Sequence, residues 1–575
     1  MKNLSAFVKK SATLFAVWFR RRPMLASFLI CSILLGSVSL FFEIRYQTID
    51  DFFMNASSSG YIGGTPDEHL IYTHFIIGLV LKFFYQVTDS VNWHGAYLCL
   101  THLASWTIIL FGLSSMLRLR YSLFMFIYLF VTFQIYFFQN LQFTTTAALA
   151  ALAGFTLFFS AWQGPVLNSK RFIAGIFIML FAAMIRPDSV TLIIILSSPV
   201  ALIHIKDYKK FLKIAAATAG VLAFTFVLPY IDKVYYYKDA DWKVYYERRH
   251  TGIFVQTSAF HPMVVIAPDK PYRKIGWSDN DLRLFNSYFH EMPEIFSPDK
   301  VNQLEPYVKK SPFQLKTFLI STSRQLANIH LLLIFVSLLI LVKFKNAYPG
   351  IISFLIALLI LAYIFHFRLM KERVLFSMLI CLCYWALFLL FNKAGSASAV
   401  PSRFPAIKRF YFTAFILIAG LLGLNSIKNQ YLFNIRAIVP SKQLLKKQIA
   451  QLKKESFVYL TWGYVVNFEA AGPFDSEFRA GASPQIAPIS AFAFSPILKS
   501  VFHSKDKNSF IEAFPDKRFR VVSTLDYDSA SFYNGLSVSM LEALYREHYI
   551  CSLQKNFEAD YPELRFTINS FDGCK

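Results

Sequence analysis

Nineteen consecutive residues, Met24 to Phe42 (MLASFLICSILLGSVSLFF), contain no charge. A hydrocarbon core about 30 Å thick needs about 20 such residues as a helix, and without water every backbone polar group must be satisfied inside that helix. Further runs of this kind lie at approximately 95–117, 121–139, 142–162, 171–185, 188–205, 211–231, 327–343, 349–366, 374–392 and 411–428. Only 16% of the 575 residues are charged, against about 25% in soluble domains. An ordinary soluble enzyme is excluded. The chain reads as a polytopic α-helical membrane protein with about 11 transmembrane helices.

The segment MKNLSAFVKKSATLFAVWFRRRP before the first run holds six basic residues. It resembles the charged region of a signal peptide, but the run after it is too long and lacks a small-residue cleavage site. An uncleaved first span with a cytoplasmic N-terminus is expected. Across the chain, 58 Lys and Arg oppose 35 Asp and Glu, a net charge of +23. In a soluble protein that excess points to nucleic acid. Here the basic residues cluster in short loops, where they set orientation in the bilayer, so no nucleic-acid partner is expected.

The run 70–87 (LIYTHFIIGLVLKFFYQV) is ambiguous because Lys82 lies well inside it. A central lysine costs about 2.5–3.5 kcal/mol on insertion, although snorkelling reduces that. Loop charge decides better than hydropathy. With 70–87 flat on the membrane, the short inner connections hold 13 basic residues and the short outer ones four: Arg186, Arg368, Lys371 and Arg373. With 70–87 spanning, every later loop flips and the bias reverses. The expectation is 11 spans in the cytoplasmic (inner) membrane, with 70–87 as an interfacial or re-entrant helix.

This topology divides the chain into a membrane module, 1–428, and an extracytoplasmic domain, 429–575. The module carries a first outer loop at 43–94, a large outer loop at 232–326 and a basic turn at 366–373. After 428 comes a basic helix-like stretch (SKQLLKKQIAQLKKE), then the alternating segments FVYLTWGYVVNF and FRVVSTL, then SMLEALYREHYICSLQ with helical spacing. A small α/β domain is expected. Cys31, Cys99, Cys381 and Cys383 lie in apolar runs, where thiols act as small hydrophobes. Cys551 and Cys574 lie in the polar tail, where a disulfide is plausible if the compartment is oxidising.

The first outer loop reads EIRYQTIDDFFMNASSSGYIGGTPDEHLIYTHF. It holds two acidic pairs, Asp50–Asp51 and Asp67–Glu68, separated by a Gly/Ser-rich segment. A solvated loop accounts for the charges but not for the partly amphipathic segment that returns the chain to the membrane at once. Carboxylates held at a membrane surface suit a general base or a divalent metal.

In this organisation the chain resembles the GT-C superfamily of integral-membrane glycosyltransferases. The shared features are an acidic pair just beyond the first span, interfacial helices, many further spans and a soluble outer domain. The stretch IRPDS (Ile185 to Ser189) resembles an Arg-Pro-acidic element of several branches. TPDEH (65–69) departs from the His/Pro-rich stretch of many relatives. The resemblance covers residues up to about 428. It implies a carboxylate base in the first outer loop, Asp50 or Asp51, and a donor sugar carried on polyprenyl phosphate. The implied acceptor is an envelope glycan or a glycolipid.

Transfer from a phosphate carrier needs a base for the acceptor hydroxyl and cations for the departing phosphate. Arg186, Arg368, Lys371 and Arg373 are the candidate cations, with lipid-headgroup contact as the alternative. Asp188 accompanies Arg186. Asp67, Glu68 and His69 are candidates for acceptor or metal binding; no cofactor is firmly called for, and a divalent metal stays open. Arg248, Arg249 and His250 in YYERRHTG are candidates for phosphate or acceptor contact, against a solvated charged loop. Asp239-Ala240-Asp241 is more simply a chance D-x-D. The competing functions are a transporter or flippase for lipid-linked saccharides, and a glycan polymerase or ligase. Transporters place ionisable residues near mid-membrane, whereas these gather in outer loops.

Overall fold

The computed structural model describes residues 2–163, 167–259, 270–286, 289, 292, 294–304, 344–367, 371–395, 420–421, 423–461, 465–489, 492, 495–524, 538–549 and 553–572. Its N-terminal part is helical: α1 (Lys2–Arg21), α2 (Pro23–Phe41), α3 (Ile49–Ser58), α4 (Phe75–Val87) and α5 (Trp93–Met116). There follow α6 (Leu119–Gln139), α7 (Phe143–Ser160), α8 (Ser169–Ile185), α9 (Pro187–His204) and α10 (Tyr208–Tyr236). Then come α11 (Ala240–Ala259), α12 (Asp279–Asn286), α13 (Phe344–Phe367), α14 (Glu372–Gly395), α15 (Val439–Leu452) and α16 (Val538–His548), with shorter helical turns between.

Helix starts follow local chemistry. Pro23 and Pro187 open α2 and α9 at a position where no backbone N–H is needed. The Asn92 side chain accepts from Gly95 N–H at 2.8 Å and caps α5, and Gln142 accepts from Thr144 N–H at 2.8 Å and caps α7. Asp239 does the same for α11, accepting from the N–H groups of Asp241 and Trp242, while Asp241 pairs with Lys499 at 2.6 Å. The D-x-D is therefore a helix cap and an ion pair.

Among the described residues seven helices are long and apolar enough to cross a membrane: α2, α5, α6, α7, α9, α10 and, within α14, Glu372–Asn392. This is a multi-pass membrane protein. The apolar helix α4 has 13 residues, well short of the roughly 20 that a crossing requires. The expected spans at 327–343 and most of 411–428, and the cysteines Cys551 and Cys574, lie outside the described residues.

Helix α7 is the axis of the bundle, with all 18 residues buried, and α5, α8, α9 and α14 pack around it. Its approach to α8 depends on two glycines. A Cβ on Gly175 would lie 2.6 Å from the Phe158 nitrogen, and one on Gly154 would lie 2.9 Å from the Gly175 oxygen. Small residues at such crossings let backbones meet in lipid, where hydrophobicity cannot drive helices together. Polar side chains add cross-links: His102 bonds Gln134 at 3.0 Å and Thr146 at 2.9 Å, and Trp106 donates to Gln134 at 2.7 Å. These join α5, α6 and α7.

After the bundle the chain builds a five-stranded sheet in the order β4-β3-β5-β7-β6. The strands are β3 (Val458–Thr461), β4 (Gln485–Pro488), β5 (Phe519–Thr524), β6 (Gln554–Tyr561) and β7 (Phe566–Asp572), the first three mutually parallel and the last two antiparallel. This region presses on the first loop. Tyr46 N–H donates to Ala471 C=O at 2.8 Å, Phe52 stacks on Phe468 at 4.4 Å, and Tyr61 OH donates to Pro484 C=O at 2.6 Å. A two-residue parallel ladder, β1 (Arg45–Tyr46) with β2 (Asn140–Leu141), ties the same loop to the end of α6.

Gly175→Val should pry α8 from α7. Overpacking of this kind costs about 1–3 kcal/mol, so the melting temperature of the detergent-purified protein should fall well below that of wild type. An unchanged melting temperature would refute the close-approach account.

Candidate active site

Helix α3 starts after Thr48 and carries Asp50 and Asp51 in its first turn, where carboxylates oppose the positive end of the helix dipole. The two then diverge. Asp51 is fully buried; one oxygen accepts from Phe143 N–H at 3.0 Å and the other from Thr48 OH at 3.1 Å. Burial drives its pKa well above the ordinary carboxylate value, the Phe143 N–H opposes that, and the neighbouring Asp50 charge adds to it. Asp51 is thus the pin between α3 and the start of α7. It faces protein on all sides.

Asp50 is the reachable partner, with 24% of its side chain exposed. Arg373 lies 4.0 Å from it, at the start of α14. Lys371, Arg249, Tyr72 and Tyr245 are also within electrostatic range of Asp50. Arg186 reaches the same place from the turn between α8 and α9, and its charge is felt by Lys371. Burial lowers the pKa of Arg186, and the Arg249 and Arg373 charges depress it further against the pull of Asp188. Lys371 is lowered likewise by withdrawal from water and by Arg373. Four cations therefore share two accessible carboxylates, Asp50 and the more exposed Asp188. That excess of positive charge favours an anion in the site.

Tyr72 organises the cations. The Arg249 guanidinium lies 4.1 Å from its ring centre and that of Arg186 lies 5.9 Å from it. The residue before it, Ile71, has a positive φ of 67°, which is unusual for a β-branched side chain and costs on the order of 1–3 kcal/mol. Two contacts hold it there. Ile71 N–H donates to Tyr236 OH at 3.2 Å, and Arg249 donates to Ile71 C=O. The strained turn is what aims Tyr72 between the arginines.

Beside this lies a second polar group. The His69 ring nitrogen Nδ1 bonds Asp67 at 2.8 Å and the ring stacks on Trp242 at 4.0 Å. Glu68 accepts from Lys82 at 2.6 Å and from Tyr235 OH at 2.8 Å. Burial alone would raise the Glu68 pKa, but those two bonds outweigh it and the net shift is downward. Ligand atoms of Asp67, Glu68 and His69 lie within 4.8 Å of one another, as do those of Asp281, Glu547 and His548. The latter set joins α12 to α16, with His548 Nε2 at 2.8 Å from Asp281. Lys82, which made 70–87 hard to place, is the partner of Glu68.

The fold thus brings Asp50, Arg186, Arg249, Lys371 and Arg373 together, with Asp188 bonded to Arg186 at 3.0 Å and largely exposed. Arg248 is buried beside Tyr245. Arg368 and the His250 side chain lie outside the described residues. His74 caps α4 by accepting from Ile76 N–H at 3.3 Å, and burial lowers its pKa to about 4; it orients no carboxylate. Asn55 is buried and accepts from Tyr85 OH at 2.8 Å. Tyr72, Tyr245 and Ile71 were missed by sequence reasoning, because an aromatic residue in a tyrosine-rich chain carries no signal until its neighbours are known.

No protein-family model matches the sequence, and no curated protein matches it. Among solved structures, the chain is similar to a crystal structure of ArnT from Cupriavidus metallidurans in the apo state, at 12% sequence identity and a TM-score of 0.45. That match covers 94% of this chain and 97% of the other.

The burial of Asp51 has a signed consequence. An unfolded aspartate titrates near 4 and the folded one higher, so between those values the folded state binds more protons and stability falls as pH rises. Asp51→Asn keeps an acceptor for Phe143 and a donor for Thr48 but cannot ionise. Relative to wild type, the variant should gain stability as pH rises from about 4, read as melting temperature across a pH series. A constant difference between the two proteins would show that Asp51 has no raised pKa.

Proposed function

We propose that the protein is a membrane glycosyltransferase of the GT-C type, which moves a sugar from a polyprenyl-phosphate carrier to an envelope glycan or glycolipid. The observation that carries this reading is Asp50, an accessible carboxylate 4.0 Å from Arg373 and in the field of Arg249 and Lys371, with Arg186 in turn in the field of Arg249 and Arg373. A lone base beside an anion-stabilising cluster is the equipment for displacing a phosphate leaving group. Asp50, Arg186, Lys371 and Arg373 sit at or beside helix starts and Arg249 lies within α11; a lipid carrier would present its headgroup to this cluster. A transporter would favour ionisable residues at mid-membrane.

In the reaction Asp50 takes the proton of the acceptor hydroxyl as its oxygen attacks the anomeric carbon. The bond from that carbon to the phosphate oxygen breaks, and the carrier departs as polyprenyl phosphate against the four cations. Retaining enzymes use a second carboxylate as nucleophile; Asp51 is buried and pinned and Asp188 is held in an ion pair with Arg186, which supports Asp50 acting as base without a nucleophilic partner and hence inversion. Asp67, Glu68 and His69 border the site and serve the acceptor. A divalent ion there would raise the local positive charge. The expected setting is the cytoplasmic membrane, with the N-terminus inside, the site facing outward and 429–575 forming an extracytoplasmic domain.

Asp50→Asn should lose about 10²–10⁴-fold in transfer while keeping its affinity for polyprenyl phosphate. Transfer at wild-type rates would remove Asp50 from the mechanism. Loss of donor binding instead would make it a binding residue.

Arg186→Ala and Arg373→Ala should each weaken polyprenyl-phosphate binding by about ten- to a hundredfold, as expected for loss of a charged contact. Direct binding measurements with the lipid phosphate, without acceptor, separate this from catalysis. Unaltered affinity in both variants would reassign the two arginines to lipid-headgroup contact.

A further inference from the structure

The amphipathic helix α1 plays no part in the site above. It has 20 residues, which makes it about 30 Å long, and it ends where the first spanning helix begins. Arg22 breaks the helical path with φ −136° and ψ 61°, and Pro23 starts α2. The C-terminal end of α1 is therefore held at the boundary of the bilayer.

Leu14, Phe15 and Trp18 share one face of α1 by helical spacing, and they are 61%, 38% and 37% exposed. Phe19, at the edge of that face, is only 2% exposed and anchors the helix to the rest of the protein. Arg20 and Thr13 occupy the opposite face by the same spacing. Lys10, Arg20, Arg21 and Arg22 are exposed, and Glu43 is the first acidic residue of the chain. Large apolar side chains exposed beside a bilayer, backed by exposed positive charge, match the layout of a helix that lies in the interface. The charge selects its partner, since juxtamembrane lysines and arginines are attracted to anionic headgroups.

We propose that α1 lies in the headgroup layer on the N-terminal side of the membrane and binds anionic phospholipid. Its apolar face enters the acyl boundary, Trp18 sits at headgroup level, and the lysines and arginines engage lipid phosphates.

The test is amide hydrogen exchange of residues 10–21 in the full-length protein, embedded in nanodiscs. One set contains phosphatidylcholine alone and the other contains about 30 mol% phosphatidylglycerol, a strongly anionic surface. Exchange should be about tenfold slower or more in the anionic discs, a factor that a few charge contacts can supply. A variant with Lys9, Lys10, Arg20, Arg21 and Arg22 all changed to Gln should lose that difference. Equal exchange in both lipids would overturn the proposal. Slow exchange that persists in the glutamine variant would also overturn it, since α1 would then be docked on protein.

Discussion

The bond between the Asp51 carboxylate and the Phe143 N–H is the constraint on which the rest of the site depends. The first loop is long and rich in Gly and Ser, and it could sample many arrangements. A carboxylate with no exposure, bonded at 3.0 Å to the first residue of the fully buried helix α7, removes that freedom. Leaving either partner unsatisfied in such surroundings costs several kcal/mol. Once α3 is tied to α7, the residue before Asp51 is carried to the end of the bundle, where the turns between α8 and α9 and before α14 deliver their cations.

A second constraint comes from the C-terminal region. It covers the first loop rather than standing apart from it: Phe52, next to Asp51, is stacked on Phe468 and meets Phe478 edge-on at 4.9 Å. Gly472 approaches Ile44 so closely that a Cβ would lie 2.3 Å from its carbonyl oxygen. Lys442 reaches Glu43 at 2.8 Å and Asp475 at 3.7 Å. The C-terminal region thus bears on the backbone that carries Asp50. Its contribution is rigidity, which a cluster of like charges requires because repulsion would otherwise spread it.

The cations illustrate the same balance. Arg186, Arg249, Lys371 and Arg373 would repel one another in an isolated loop. Here Asp50 and Asp188 offset part of that charge, and Tyr72 lends its ring face to two of the guanidinium groups. The remaining positive potential works against the fold's own stability and would favour an anion placed beside it. Ile71 is part of the same investment in geometry, a strained residue held by Tyr236 and Arg249.

The sequence by itself determined that the chain crosses a membrane many times, because uninterrupted apolar length is a one-dimensional property and the bilayer sets its scale. It also singled out Asp50–Asp51 and the basic residues Arg186, Lys371 and Arg373, since charges beside spans stand out against an apolar background. Which aspartate is reachable was not legible: Asp50 and Asp51 are neighbours of identical type, and only the position of Phe143, 92 residues away along the chain, separates them. The partnership of Lys82 with Glu68, the capping role of Asp239 and the aim of Tyr72 were hidden for the same reason. Burial, hydrogen-bond partners and the summed field of several charges depend on distances between segments remote in sequence, and those distances exist only in the folded chain.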